Sequence, residues 1–386
     1  MAPADPDPLA PLRRRRSVKW STYPQDVLPL WVAEMDFPLA PAITAALRAA
    51  LDRGDTGYAN PAEGGAARAF AAFARDTWGW TPDVARMAPT TDVSVVIVES
   101  LRRLVAPGEG VIITPPVYPP FFDLIPEAGG RVVEVPLLGA ADDAAAGPAL
   151  DLAGIDRALA AGARGVLLCH PHNPLGLVHP REHLEELARI VDRRGGFVIS
   201  DEIHAPLTHH HVTFTPYLAV SDAARDHGLT AGSGSKAFNL AGLKAAFLVA
   251  AGERMAALIR SLPAEVTYRT GHFGLLATEV GFTEGREWLA DTITRIQDNV
   301  ALLDRLVADH LPGVVTSRPR AGYLSWLDLR ALGWGDDPAA VALERARVAL
   351  TPGPGFGCQG AGFARMNLGC DPETIEAAVE RLAAAR

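Results

Sequence analysis

Cysteine is scarce in this chain. Cys169, Cys358 and Cys370 are the only three among 386 residues, and no two form a CxxC pair. That excludes a disulfide framework and disfavours a structural zinc site, and it suits a reducing cytoplasm. Long apolar runs are missing too: no window reaches the roughly 18 residues of a membrane span. Positive charge is not in excess. The formal net charge is −9, which argues against nucleic acid as a main partner. The one basic run, Arg13 to Arg16, is followed by Ser17-Val18-Lys19-Trp20 rather than an apolar stretch, so it reads as a solvated arm and not as a secretory signal. There is no internal repeat. The one biased segment is an Ala/Asp-rich loop around residues 139–148.

What is present is enough apolar sequence for a large core, 48% of residues. Single cores stop growing near 250–300 residues, so one large and one smaller domain are expected. Residues 1–30 are Pro-rich and aperiodic and read as an arm. Helices are expected over 41–53, with Pro41 in the first turn and Gly54 at the stop, and over 65–77, where Phe70, Phe73 and Ala74 form one stripe. From about residue 88, short apolar runs alternate with helix-length segments such as 183–194. The runs are 110–114, 131–136, 165–169, 197–200, 230–232 and 245–250. Several are Val/Ile/Leu-rich and apolar at successive positions, as strands covered on both faces are. The alternation predicts an α/β fold with a mostly parallel sheet between helices. Beyond residue 270 a long helical region to residue 310 is expected, with a break hinted at Glu284-Gly285. A strand over 324–329, a Pro/Gly-rich loop over 351–362 and a final helix would complete a smaller α+β domain.

Ligands of open parallel sheets sit beyond the carboxyl ends of the strands, so the polar residues there carry the interest. Lys236 follows a Ser233-Gly234-Ser235 turn after one such run. Small residues let the backbone approach a ligand, hydroxyls suit a phosphate, and a desolvated lysine loses its proton readily, as Schiff-base chemistry requires. Asp201 ends the run Phe197-Val198-Ile199-Ser200, where an acid can hold a ring nitrogen protonated; capping the next turn is the plainer role. Alternation sends the neighbouring Glu202 to the other face. Asn173, in His172-Asn173-Pro174-Leu175-Gly176, follows a third run and either donates an amide to a phenolate oxygen or only shapes a turn. Two further patterns carry little. Gly353-Pro354-Gly355-Phe356-Gly357 lacks the βαβ context of a dinucleotide loop, and His209-His210-His211 reads as a loop because three adjacent histidines on a strand cannot face one metal.

The ordered set Asn-Pro-x-Gly, Asp-Glu-x-His, Ser-x-Ser-Lys and a late arginine resembles the fold-type I pyridoxal 5′-phosphate (PLP) enzymes of the aspartate aminotransferase superfamily. Within it the chain is most similar to the MalY/PatB cystathionine β-lyase family. Trp31-Val32-Ala33-Glu34-Met35-Asp36-Phe37, Asp201-Glu202-Ile203-His204 and Ser235-Lys236-Ala237-Phe238-Asn239-Leu240-Ala241-Gly242-Leu243 carry that likeness. The resemblance implies a seven-stranded, mostly parallel sheet in a large domain at 46–275, with 1–45 as arm and part of the small domain, and 276–386 as the rest of it. It implies that Lys236 forms the Schiff base and Asp201 pairs with the pyridine nitrogen, while Asn173 bonds the phenolic oxygen and Tyr118 stacks on the ring. Thr91, Asp92, Val93, Ser233, Ser235 and Lys244 would hold the phosphate. Arg365, Ala33 and Asn173 would meet the substrate, and Tyr58 would serve the partner subunit's site in a homodimer with shared active sites. Three departures stand out. His204 replaces a tyrosine usual in aminotransferases, which favours the lyase branch, Lys244 stands where many relatives have an arginine, and His209-His210-His211 is unusual after the Asp201–His204 segment. The implied activity is carbon–sulfur β-lyase action on a small amino-acid substrate, L-cystathionine or another L-cysteine S-conjugate, in the cytoplasm. An aminotransferase, or a biosynthetic offshoot doing decarboxylative or oxidative chemistry on a cysteine S-conjugate, remains open at this point. A cofactor-binding regulatory module, a different class altogether, would need a DNA-binding region for which residues 1–30 are too short.

Overall fold

The computed structural model of the chain describes residues 9–139 and 147–386, so most of the expected Ala/Asp-rich loop lies outside the described residues. The chain divides into two compact units. Of the described residues, the larger comprises those within 39–294 and 320–322; the smaller comprises those within 9–38, 295–319 and 323–386.

Seven strands form the sheet of the larger unit: β1 (Met87–Thr90), β2 (Gly110–Ile113), β3 (Arg131–Glu134), β4 (Ala163–Cys169), β5 (Phe197–Asp201), β6 (Gly228–Gly232) and β7 (Ala246–Ala250). Their order is β1-β7-β6-β5-β4-β2-β3. The β3-β2-β4-β5-β6 ladder is parallel throughout, and β7 runs antiparallel to both of its neighbours. Every residue of β2, β5, β6 and β7 is buried. That is why these strands read as continuous apolar runs rather than alternating ones. Helices α1 (Pro41–Asp52), α2 (Gly65–Trp78), α3 (Val93–Leu104), α4 (Arg181–Arg193) and α5 (His272–Glu284) belong to the same unit. The apolar stripe of α3, Val93, Val96, Ile97 and Leu101, packs with Val111, Ile113, Leu167, Cys169, Phe197, Ile199, Leu229 and Ala231. These strand residues share one parity, so they define the sheet face that α3 covers. Asp201 continues the parity of Phe197 and Ile199 and emerges on that face.

Gly285 breaks the long helical region at the expected place, separating α5 from α6 (Arg286–His310). The boundary between the units falls inside α6, at 294/295, and the first falls at 38/39. The expected limits at 45/46 and 275/276 differ because α1 and α5 both belong to the larger unit, and one continuous helix conceals the second boundary.

The smaller unit holds an antiparallel sheet of β8 (Val315–Thr316), β9 (Leu324–Asp328), β10 (Thr351–Pro352) and β11 (Phe363–Asn367), ordered β10-β11-β9-β8. Helix α7 (Pro372–Ala384) packs Ile375, Ala378, Val379 and Leu382 with Ala364, Met366 and Leu368 of and beside β11. The described part of the arm is not merely solvated. Lys19 is fully buried with its Nζ 2.8 Å from Asp36 Oδ2, Trp20 Nε1 donates to Asp36 Oδ1 at 2.9 Å, and Arg15 Nη2 donates to Asp36 O at 2.8 Å. Among the described residues no helix is long and apolar enough to cross a membrane.

Candidate active site

The parallel strands deliver their C-terminal residues to one edge of the larger unit. Cys169 and Asp201 are register partners at the ends of β4 and β5, and Ala231 of β6 pairs with Asp201 from the other side. Asp201 is 5% exposed, and burial pushes its carboxyl up from 3.8 to about 7, against the pull of the Ile203 N–H (3.1 Å to Oδ1) and the Lys236 charge. An acid so poorly solvated suits a protonated ring nitrogen, which would restore its charge. Glu202 points to Ser200 and Tyr217: its Oε1 accepts from Ser200 Oγ and Tyr217 N, each at 2.9 Å, and burial raises it to about 8.

Lys236 sits in the turn after β6. The turn closes through Phe238 N to Gly234 O at 3.0 Å and Leu240 N to Ser235 O at 2.8 Å, and Phe238 anchors it by an edge contact on Phe282 at 5.3 Å. Ser233, buried, donates to Ala245 O at 2.7 Å and accepts from Ser235 N at 3.0 Å. Its proton is thus committed to the backbone, which leaves the half-buried Ser235 as the better hydroxyl donor of the two. Asp92 caps α3, its Oδ1 accepting from Val95 N at 3.0 Å, with Thr91 before it and Val93 opening the helix. A helix of this length offers its first amides and positive end to a phosphate. The Asp92 carboxylate would oppose a dianion there, but its Oδ2 lies 3.2 Å from Lys244 Nζ, which offsets the charge.

Asn173 is 6% exposed and donates its backbone N–H to Cys169 Sγ at 3.2 Å, while Cys169 Sγ–H points to Pro171 O at 3.7 Å. Tyr118, half-buried, stands edge-on to Phe121 at 5.8 Å in the loop after β2. His204 is buried beside Gly322, whose positive φ of 73° keeps that position free of a side chain. Tyr58 is 93% exposed, in the segment before α2. The amine, the buried acid and the hydroxyl, lysine and helix-start set of this unit therefore match in kind what PLP requires.

In the smaller unit, Arg365 lies on β11 between Trp326 and Thr351 of the flanking strands. It is 5% exposed, its Nη2 donates to Trp31 O and Thr351 Oγ1 at 3.1 Å each, and its guanidinium lies 5.2 Å from the Phe356 ring. The carbonyl of Ala33 accepts from Tyr323 Oη at 3.0 Å. Asn367 Nδ2 donates to Val32 O and Glu34 O at 2.7 Å each. The Trp31–Asp36 segment is therefore lashed to β11 and its surroundings. Thr351, Tyr323 and Asn367 do this through contacts hundreds of residues apart in sequence, and no local pattern could have singled them out.

The histidine run does form a loop. His209 is buried with Nε2 2.8 Å from Gly322 O, His210 Nε2 lies 3.1 Å from Thr294 Oγ1, and His211 takes a positive φ of 66°.

The family model described as aminotransferase class I and II matches residues 25–382. The chain belongs to that family. Within the class I and II aminotransferases it is 41% identical, over 96% of its length and 95% of the relative's, to a Mycobacterium leprae protein provisionally named a cystathionine beta-lyase. It is 32% identical to the cystathionine beta-lyase PatB of Bacillus subtilis, with 96% of each chain covered. A solved structure from Corynebacterium diphtheriae, provisionally named a PLP-dependent beta-cystathionase, superposes with a TM-score of 0.90 at 32% identity, covering 97% of both chains. The fold-type I architecture expected from the motifs is thus the one the chain adopts.

Proposed function

We propose that this protein is a PLP-dependent carbon–sulfur β-lyase, converting L-cystathionine or another L-cysteine S-conjugate to a thiol, pyruvate and ammonia. The observation that carries the reading is the nearly full-length similarity, at 41% and 32% identity, to proteins named cystathionine beta-lyases, on a fold whose strand ends present a buried acid, Asp201, and the half-buried Lys236. In this reading Lys236 holds the cofactor and Asp201 keeps its ring nitrogen protonated. Asn173 and His204 flank the phenolic oxygen, Tyr118 covers the ring, and Thr91, Asp92, Val93, Ser235 and Lys244 serve the phosphate, with Ser233 bracing the turn. Bound PLP supplies the electron sink for the pair released when Cα loses its proton.

The chain's own groups then divide the work. Arg365 takes the substrate carboxylate by a charge-assisted fork and so fixes the orientation of Cα. The Lys236 amine would accept the Cα proton as general base. Departure of the sulfur from Cβ with its electron pair needs only a proton to give the free thiol, and water completes the breakdown to pyruvate and ammonia. Ala33 lies on the segment lashed beside Arg365 and borders the substrate. The protein acts in the cytoplasm, consistent with its three unpaired cysteines, and as a dimer in which the exposed Tyr58 serves the neighbouring copy.

The test is product analysis of PLP-loaded protein mixed with L-cystathionine and no 2-oxo acid. Pyruvate, ammonia and thiol over many turnovers are expected. Lys236→Ala should lose both turnover and the visible absorbance of bound cofactor. Turnover only with an added 2-oxo acid would replace this reading by an aminotransferase, and carbon dioxide release with sulfur retained would replace it by the decarboxylating variant.

A further inference from the structure

Resting on that reading, we propose that His172 is a positioning residue, a strut that ties the loop carrying Tyr118 to the turn carrying Asn173. His172 is 1% exposed, and its Nε2 lies 3.2 Å from the main-chain oxygen of Thr114, 58 residues earlier. A carbonyl oxygen only accepts, so Nε2 carries a proton and donates it to Thr114 O. Nδ1 has no hydrogen-bond partner among the described residues. Among the described residues the bond to Thr114 is therefore the single hydrogen bond of the ring, and it spans two loops.

Both ends of the strut sit next to proposed cofactor contacts. Thr114 is the first residue after β2 and stands four positions before Tyr118; His172 immediately precedes Asn173. The backbone of His172 is already fixed inside its own turn, its N–H donating to Leu177 O at 2.8 Å and its carbonyl accepting from Gly176 N at 2.7 Å. The Asn173 turn is thus rigid by itself, and the imidazole adds a different thing: the distance between this turn and the Tyr118 loop. Burial lowers the imidazole to about 4, so the strut stays neutral and intact through the neutral pH range. His170 offers an internal contrast. It is equally buried and its Nε2 lies 3.0 Å from Thr215 O, but that loop carries none of the proposed cofactor contacts.

The experiment compares His172→Leu, His172→Asn, His172→Gln and His170→Leu as PLP-loaded protein. The readouts are PLP dissociation, the visible circular dichroism per bound cofactor, and kcat and KM separately. A glutamine amide can reach the place of Nε2; an asparagine amide stops short. His172→Leu and His172→Asn should each weaken PLP retention and lower kcat by about tenfold or more, with the dichroism markedly reduced, because a misplacement near 1 Å can cost on this scale. His172→Gln should recover most of each loss, and His170→Leu should keep the dichroism. Parent-like values in His172→Leu would overturn the proposal, as would equal losses in His170→Leu or a glutamine no better than asparagine. If His172→Leu fails to fold, the Asn and Gln pair decides. A Lys236→Ala protein that kept the parent visible spectrum would instead remove the underlying assignment of the cofactor.

Discussion

At the scale of single residues the most informative group is Asp201. Its folded carboxyl sits near 7 and its ordinary value is 3.8, so the folded protein without cofactor binds this proton more tightly than the unfolded chain does. The stability this contributes is complete below about pH 4 and is lost as pH rises through 7; Glu202, raised to about 8, acts in the same sense. The cofactor-free protein should therefore melt progressively lower between pH 5 and 8. A pH unit of separation corresponds to ~1.4 kcal/mol, and a few degrees of melting temperature are expected from Asp201 alone. Asp201→Asn should flatten that slope. PLP should flatten it too, since a protonated ring nitrogen beside the carboxylate lowers its pKa. Thermal melts across pH for both proteins check this, and parallel slopes would show that Asp201 does not hold the proton. The sequence singled out Lys236, Asp201 and Asn173 as candidates because Asp201 closes a buried strand and the other two follow one by four positions. The reach of His172 to Thr114 and of Asn367 to the Val32–Glu34 backbone was not, because each joins segments that only the tertiary fold brings together.

At the scale of elements, what could be read depended on burial. Strands buried on both faces announce themselves as apolar runs, so β2, β4, β5, β6 and β7 were expected within a residue or two. The edge strand β1 was missed: its Met87-Ala88-Pro89-Thr90 is half-buried and carries a proline, which suits an edge and hides a strand. β11 was missed as a strand because Phe363-Ala364-Arg365-Met366-Asn367 mixes an arginine and an asparagine into a fully buried segment. The Pro/Gly-rich segment expected as a loop pairs its first two residues with β11 and then folds back on itself through Gly353 and Gly360. A Cβ on Gly360 would lie 1.9 Å from Gly353 O, and one on Gly353 would lie 2.1 Å from Gly360 O, so the two backbones touch. Gly360→Ala should destabilise the smaller unit by about 1–3 kcal/mol or more, as overpacking against immobile backbone does. Gly242→Ala, whose added methyl meets nothing within 4 Å, should change little. Denaturant midpoints of the two variants decide the point; equal midpoints would mean that the 353–362 segment yields easily.

At the scale of the whole molecule the exposed ring of Tyr58 is the feature that a lone chain does not explain. A tyrosine 93% exposed leaves most of its apolar area in water. Such side chains, with one polar tip and a rigid body, are favoured where a second surface arrives. If Tyr58 completes the site of a neighbouring copy, a two-fold dimer has two sites, each built from Lys236 of one chain and Tyr58 of the other. Lys236→Ala and Tyr58→Ala homodimers would both be inactive. After the two proteins are unfolded together and refolded at equal amounts, half of the dimers are mixed, and each mixed dimer holds one site with both residues intact. About a quarter of the parent activity should then return. Recovery near that fraction requires the shared site. No recovery, with mixed dimers verified by native mass spectrometry, would place Tyr58 in its own chain's chemistry. A fully active Tyr58→Ala homodimer would assign the ring to packing between copies alone.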